Sequence, residues 1–555
     1  MRPFFTPLLA LVSVLFLCPA RGGAAEPGPA WARGAVFYEI YPQTFRDSNG
    51  DGIGDLPGIV EKLDYVKSLG VSAIWLNPFY ESSFRDAGYD VTDFYSVAKR
   101  YGTNADAKRL FAQAHRRGLH VIIDFVPGHT SIDHPWFKES AKGTKNRYSN
   151  WYVWTDRTWV SGIDRNQFTL IQGYSDRDGC YLANFFWHQP ALNYGFDHPD
   201  PQQPWQLPVN HPDVRAMEAE MENVMRFWLN LGCDGFRVDM AGSLIKGDND
   251  GACARYWRGV RARLQKDYPD LFLVSEWSSP IDSLNGGFNA DFLHWIPEYN
   301  RLFQGDDRKG PWFADQGGGD ITRFLGAYLK QYEATKDKGF ISLPFANHDL
   351  PRISSNGRSR RDIECIYAFE LTMPGTPFLY YGDEIGLRQL QGLPHTEGSY
   401  GTRAGARTPM QWDSSPNLGF SAASPEKLYR AVDSAPDAPT VEAAERDPLA
   451  LIHLVRKLVA LRRTEPALSA SAAFKVLYAE KDQYPFAYLR SSGAKQIVVI
   501  LNPRNSRVEL PLAFARMPKQ FALLAGSCTF GHSPAGATTA ALEGESYAIV
   551  RADAE

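Results

Sequence analysis

Short apolar, β-branched runs recur along this chain and alternate with stretches whose apolar positions repeat every three to four residues. The runs at residues 35–41, 71–77, 120–126, 235–240, 271–277, 340–345 and 376–381 predict strands covered on both faces. Between them, 59–69, 105–117, 212–231, 254–266 and 321–332 predict amphipathic helices. Strand then helix, repeated, is the pattern of parallel βα units. An eighth run at 290–296 completes the count for an α/β fold of the (β/α)8 TIM-barrel type, whose active site lies where the strands end. An open doubly wound sheet is the competitor, but no glycine-rich phosphate loop follows the first strand.

Two stretches break the rhythm. Residues 129–208, with Trp136, Trp151, Trp154, Trp159 and Trp187, show little helical period and are too long for a simple loop. They predict an irregular inserted domain after strand 3, dividing the barrel into 26–128 and 209–464. Over 465–555 short alternating runs are separated by turn residues and predict a C-terminal antiparallel β-sandwich domain. At the other end Arg2 precedes an apolar run at 8–17 and the small residues Gly23, Ala24 and Ala25. Residues 1–25 therefore read as a signal peptide, and the mature protein is expected to be secreted or periplasmic. A membrane anchor is disfavoured because the run is shorter than the roughly 20 residues a bilayer span requires.

Composition narrows the partners. Of 555 residues 44% are hydrophobic, enough for a large core, and 59 Lys and Arg against 63 Asp and Glu leave a net charge of −4. That balance gives no field for gripping nucleic acid. Past the leader the cysteines are Cys180, Cys233, Cys253, Cys365 and Cys528. Their wide spacing makes no zinc signature and allows at most two disulfides, with no pairing implied.

The candidate chemistry lies at the strand ends, where a doubly covered strand has no structural need for charge. Asp239 ends GFRVD at 235–239, Glu276 ends the fifth run, and Asp349 follows the 340–345 run. Arg237 stands two residues before Asp239, so on an extended strand both point to one face, and a carboxylate beside a guanidinium stays ionised. With His348 adjacent to Asp349 and His129 at the end of the third strand, the acids suit glycoside hydrolysis, which needs one ionised and one protonated carboxyl flanking a bond and no metal.

These residues resemble the α-amylase family of retaining α-glycosidases and transglycosidases. Its four motifs occur in family order: DFVPGH at 124–129, GFRVD at 235–239, EW at 276–277 and NHD at 347–349. The resemblance implies that Asp239 is the nucleophile, Glu276 the acid and then base, and Asp349 the group that holds two sugar hydroxyls. It places Arg237, His129 and His348 in the same subsite. DAGY at 86–89 and RAGARTPMQW at 403–412 look like the oligosaccharide α-glucosidase and trehalose synthase branch. There Tyr89 would stack on the terminal glucose, and Asp86 would pair with an arginine, assigned to Arg407 rather than Arg403, to close the pocket.

DSNGDGIGD at 47–55 sets oxygen-bearing residues at alternate positions with glycines for the turn, as a loop around a hard cation does. It resembles the calcium loop of the same branch, with Asp47, Asn49, Asp51 and Asp55 giving side-chain oxygens and Ile53 its carbonyl, for a structural Ca2+. Three positions depart from the family pattern. Gly128 stands where the family usually has Asn, which speaks against a second calcium between barrel and insert. Ala191 in QPALN at 189–193 stands where an Asp is common, and Met240 follows the nucleophile. The expected substrate is an α-linked malto- or isomalto-oligosaccharide. Hydrolysis is favoured by the leader, since an exported enzyme meets such sugars outside. A transglycosylase or isomerase such as a trehalose synthase is the alternative. A non-catalytic sugar-binding relative is disfavoured because all three acids are present.

Overall fold

The computed structural model describes residues 28–159, 168–173, 175–305, 310–512, 518, 520–532 and 538–552. The leader expected at 1–25 lies outside them. Eight parallel strands form one sheet: β1 Phe37–Ile40, β2 Ala73–Leu76, β3 His120–Phe125, β4 Gly235–Val238, β5 Phe272–Ser275, β6 Ala290–Phe292, β7 Phe340–Ser342 and β8 Phe378–Tyr380. Their spatial order is β7-β6-β5-β4-β3-β2-β1-β8, so sequence neighbours are space neighbours and β8 returns to β1. This is a nearly closed (β/α)8 barrel. Its two ends meet at Gly375, which has φ +104° and lies so near β7 that a Cβ would stand 1.7 Å from the Ile341 carbonyl oxygen. Only glycine fits there.

Alternation along the strands sorts the side chains into two cores. Val36, Tyr38, Ile40, Ile74 and Leu76 face outward to the helices. Phe37, Trp75, Ile122, Phe272, Phe292, Phe340 and Phe378 fill the barrel interior. The next inward positions toward the carboxyl ends are polar, Glu39, Asn77, Asp124 and Arg237, and His348 joins them from the loop after β7, all buried. A polar layer thus rests on an apolar floor, joined where Trp75 Nε1 donates to Asp124 Oδ2 at 3.0 Å.

The helices follow their local signals. Asn104–Arg116 starts with a reciprocal capping box between Thr103 and Asp106, and Pro212–Leu231 starts on proline and ends at Gly232. One expectation fails in detail. The helix predicted at 59–69 is two helices, Leu56–Glu61 and Leu63–Ser68, because Lys62 takes φ −105° and ψ 5° and lays its ammonium over the Trp412 ring at 4.3 Å. The segment after β3 contains the helix Pro135–Ser140 and a hairpin of Thr169–Gln172 with Cys180–Ala183. Past the last barrel helix, Leu451–Thr464, a five-stranded and a three-stranded antiparallel sheet pack face to face, with Val498, Ile500, Leu510, Ala540 and Val550 between them. Cys180, Cys233, Cys253, Cys365 and Cys528 are all unpaired. Among the described residues no helix is long and apolar enough to cross a membrane.

Candidate active site

One guanidinium organises the carboxyl end of the barrel. From β4, Arg237 Nη1 reaches Asp124 Oδ1 at 2.6 Å and Asp239 Oδ1 at 2.8 Å, while Nη2 reaches Glu276 Oε2 at 2.7 Å. Three buried carboxyls thus share one cation, and with so few counter-charges they do not all ionise cheaply. Burial raises Asp124 to about 6 even against the pull of Arg237. Asp239 is pushed well up by burial, which Arg237 opposes and the charge of Glu276 reinforces. Burial also pushes Glu276 up, but Arg237 and His294 outweigh it and hold this carboxyl below its usual range. These directions favour the proton on Asp239 over Glu276, so the nucleophilic carboxylate and carboxylic acid of a double displacement are reached only when that proton passes from Asp239 to Glu276.

Glu276 is gripped from three further directions. Trp295 Nε1 donates to Oε1 at 2.9 Å, the Met240 amide donates to Oε2 at 3.2 Å, and His294 Nε2 stands 3.8 Å from Oε1. Met240 reaches this position in a left-handed conformation, φ 43° and ψ 42°, in the sharp turn that follows β4.

Asp349 faces the pair from the end of β7. Its Oδ1 takes Arg407 Nη2 at 2.9 Å and Arg403 Nε at 3.0 Å, and His348 Nε2 lies 3.4 Å from Oδ2. Burial alone would raise this carboxyl, but His348, Arg403 and Arg407 carry it far below the ordinary range, so it is an anion at any working pH. His348 is itself held on both edges, Nδ1 at 2.7 Å from Glu39 Oε1 and Nε2 at 2.7 Å from the Tyr89 hydroxyl. The Tyr89 ring lies parallel to it, centroids 5.4 Å apart. His129 is neutral, since burial holds it down at about 3. Its Nε2 donates to the Tyr89 carbonyl at 3.1 Å, and Nδ1 accepts from Asn184 at 3.0 Å.

A cavity of about 560 Å³ opens onto these groups, with Asp239, Glu276, Asp349, Asp86, Tyr89 and His129 in its wall. That volume suits a small ligand such as a short oligosaccharide. Arg407 and Arg403 also line it, but the expected ion pair of Asp86 with Arg407 is not formed. Arg407 gives Nη2 to Asp349, Nε to the His348 carbonyl at 2.7 Å and Nη1 to Ser399 Oγ at 2.9 Å. Asp86 instead accepts from Gln189 Nε2 at 2.7 Å. Burial lifts its carboxyl to about 7 although Arg407 is near enough to pull it down. Both arginines, not one, serve Asp349.

The loop at 47–55 departs further from expectation. Asp47 accepts from the amides of Asn49, Gly50 and Gly52 and from Ser421 Oγ, Asn49 accepts from the Asp51 amide, and Asp51 accepts from the Ile53 amide. Asp55 turns away to bond Ser48 and to cap the helix that begins at Leu56, through the Gly58 amide at 2.6 Å. Asp47, Asp51 and Asp55 do not converge on one point. Among the described residues the acidic and histidine side chains that do so are Asp197, His198 and Asp250, near the surface.

Comparison with known proteins decides the family. The model of the α-amylase catalytic domain matches residues 39–471. The chain belongs to the α-amylase family. It is an enzyme of α-glucosidic bonds. It is 33% identical to the trehalose synthase/amylase TreS of Mycobacterium tuberculosis over 496 residues, 81% of this chain and 78% of that one. It is 32% identical to an oligo-1,6-glucosidase of Parageobacillus thermoglucosidasius over 543 residues, 85% of this chain and 90% of that one. Among solved structures, the trehalulose synthase of Pseudomonas mesoacidophila superposes with a TM-score of 0.76 at 25% identity, covering 95% of this chain and all of that one.

Within this α-amylase family site, several residues escape sequence reasoning. Asn184 comes from the insert and fills the space beside Gly128, where a Cβ would stand 2.7 Å from its Nδ2. The glycine and the asparagine therefore make one feature. Glu39 and Asn77 sit at inward strand positions among apolar neighbours, a polar interruption the pattern does contain. Trp295, three residues past β6, and Phe185, in the insert, carry no local signal.

Proposed function

We propose that this protein is a retaining α-glucosyl-transferring enzyme that rearranges short α-glucosyl disaccharides, with hydrolysis as its lesser outcome. Asp239 attacks the anomeric carbon while Glu276 protonates the departing oxygen, which leaves a β-glucosyl ester on Asp239. Glu276, now a carboxylate, deprotonates the incoming hydroxyl, and the second inversion restores the α configuration. Asp349, an anion throughout, binds hydroxyls of the glucosyl unit, and Arg403 and Arg407 fix its direction. The observation that carries the chemistry is the Arg237 fork. It holds Asp239 and Glu276 on two nitrogens of one plane, in keeping with the roughly 5 Å separation of a double displacement rather than the wider gap that admits a water.

Two further points support rearrangement over hydrolysis. The relatives named above include a trehalose synthase and a trehalulose synthase. At the cavity mouth Phe185 and Trp295 stand 48% and 44% exposed and offer apolar faces on which a released sugar can wait. The likeness to an oligo-1,6-glucosidase favours hydrolysis as the second reading. Maltose given to the purified enzyme is expected to yield an α-linked isomer such as trehalose faster than glucose. Labelled free glucose added to the mixture is expected to stay out of the product. Glucose as sole product would select hydrolysis.

We further propose that the 47–55 loop takes Ca2+ as a structural ion. The support is the run of oxygens at alternate positions, Asp47, Asn49, Asp51 and the Ile53 carbonyl, with the carboxyls turned onto the loop's own amides, so that binding requires them to swing inward and Asp55 to leave its helix cap. A chelator is expected to lower Tm by several degrees and added Ca2+, but not Mg2+, to restore it. An unchanged Tm would remove calcium from the account. Export through the 1–25 leader remains part of the proposal, read out by the N-terminus of the mature protein.

A further inference from the structure

We infer that Asp291 is a positioning residue for the acid step, acting on Glu276 from behind the barrel wall. The inference rests on the assignment of Glu276 above. Residue 291 lies on β6 between the inward-facing Ala290 and Phe292, so its side chain points out of the barrel, yet it is fully buried. Its Oδ1 accepts from Ser275 Oγ at 2.6 Å and from the amide of Trp277 at 3.1 Å. Those two residues flank Glu276. The amides of Ser278 and Ser279 also bear on the carboxyl, although Oδ2 has no well-aligned partner.

The rest of the turn is fastened to the same strand. Ser275 Oγ meets Ser283 Oγ of the helix Pro280–Asn285 at 2.6 Å. Ser278, in a left-handed conformation at φ 56°, gives its hydroxyl to the Phe292 carbonyl at 3.0 Å and accepts from the Trp295 amide at 3.2 Å. Trp295 then returns over the wall to hold Glu276 Oε1. Asp291 thus lies at the root of a clamp whose two jaws are the backbone on either side of Glu276 and the indole of Trp295. A displacement of about 1 Å at a catalytic group is costly, and the proton donor is the group this clamp aims. Burial raises Asp291 to about 8, so at neutral pH it is an uncharged acceptor that an amide can imitate.

The test uses two substrates that differ in their need for a proton. From maltose the departing group is glucose, an alcohol that needs the acid's proton, whereas from α-glucosyl fluoride it is fluoride, which leaves as an anion without it. Values of kcat/KM report the first half-reaction only. Asp291→Ala is expected to lower kcat/KM for maltose by 10-fold or more and for the fluoride by less than 3-fold, and Asp291→Asn, which keeps an acceptor for the Trp277 amide, to restore maltose to within 3-fold of the parent. If Asp291→Ala does not fold, Asp291→Ser takes its place, with Tm recorded for each variant. Equal losses on the two substrates, no loss on either, or a failure of Asp291→Asn to recover would overturn the inference. Glu276→Gln run alongside separates the two claims. If it shows no preference for the fluoride, the assignment of Glu276 falls. If it does and Asp291→Ala does not, only the role of Asp291 falls.

Discussion

Asp239→Asn is expected to lower kcat by at least about 10⁴-fold on any α-glucoside, since an amide forms no stable glycosyl ester. Its effect on stability runs the other way. Burial raises the folded pKa of Asp239 above the unfolded value of about 4, so ionising this carboxyl at neutral pH costs stability. That cost is absent below the unfolded pKa and grows as pH rises. An asparagine keeps the shape and removes the charge, so Tm is expected to stay level or rise at pH 7, with the gain shrinking as pH falls toward 4. Scanning calorimetry at several pH values checks this. A variant that loses activity and melts many degrees earlier would place Asp239 in the scaffold instead.

Removing the cation has the opposite signature. Arg237→Gln leaves Asp124, Asp239 and Glu276 buried around a neutral amide, and breaking such a network by deleting one partner costs about 3–5 kcal/mol. A fall in Tm of several degrees and near-complete loss of turnover are expected together. Protonation supplies what the guanidinium no longer does. Asp124 already sits at about 6 beside Arg237, and without the guanidinium Asp124 and Asp239 rise further while Glu276 loses what holds it down. The deficit against the parent should therefore be largest above pH 7 and narrow as the pH drops through 6. A deficit independent of pH would mean that the lost packing of the guanidinium, not its charge, is what matters.

Much of the site is legible in sequence because its acids sit at strand ends. A strand fixes which residues share a face, so Arg237 and Asp239 are neighbours by spacing alone, and so are Phe292 and His294. Strand β6 was readable too, at Ala290–Phe292 within the expected 290–296. What could not be read depends on contacts between distant segments. The pairing of Arg407 with Asp86 comes from the resemblance alone, whereas the helix Thr402–Ala406 brings Arg403 and Arg407 together onto Asp349. Asp291 is invisible as a functional residue because its partners, Ser275 and the Trp277 amide, become neighbours only when β6 pairs with β5. The break at Lys62 likewise depends on Trp412, some 350 positions later in the chain. At 47–55 the spacing of the oxygens was plain, but not that Asp55 would be drawn away to cap a helix.

The charge balance around Arg237 is struck almost wholly below the protein surface, with Asp124 and Arg237 buried and Asp239 and Glu276 little exposed. Dissolved ions screen charges that face them, over about 8 Å at physiological ionic strength, and they have little purchase on a quartet enclosed by the barrel. The sugar that enters carries no charge and disturbs no ion atmosphere. This catalytic centre brings its own counter-ion, so brackish or dilute surroundings should make little difference to its rate.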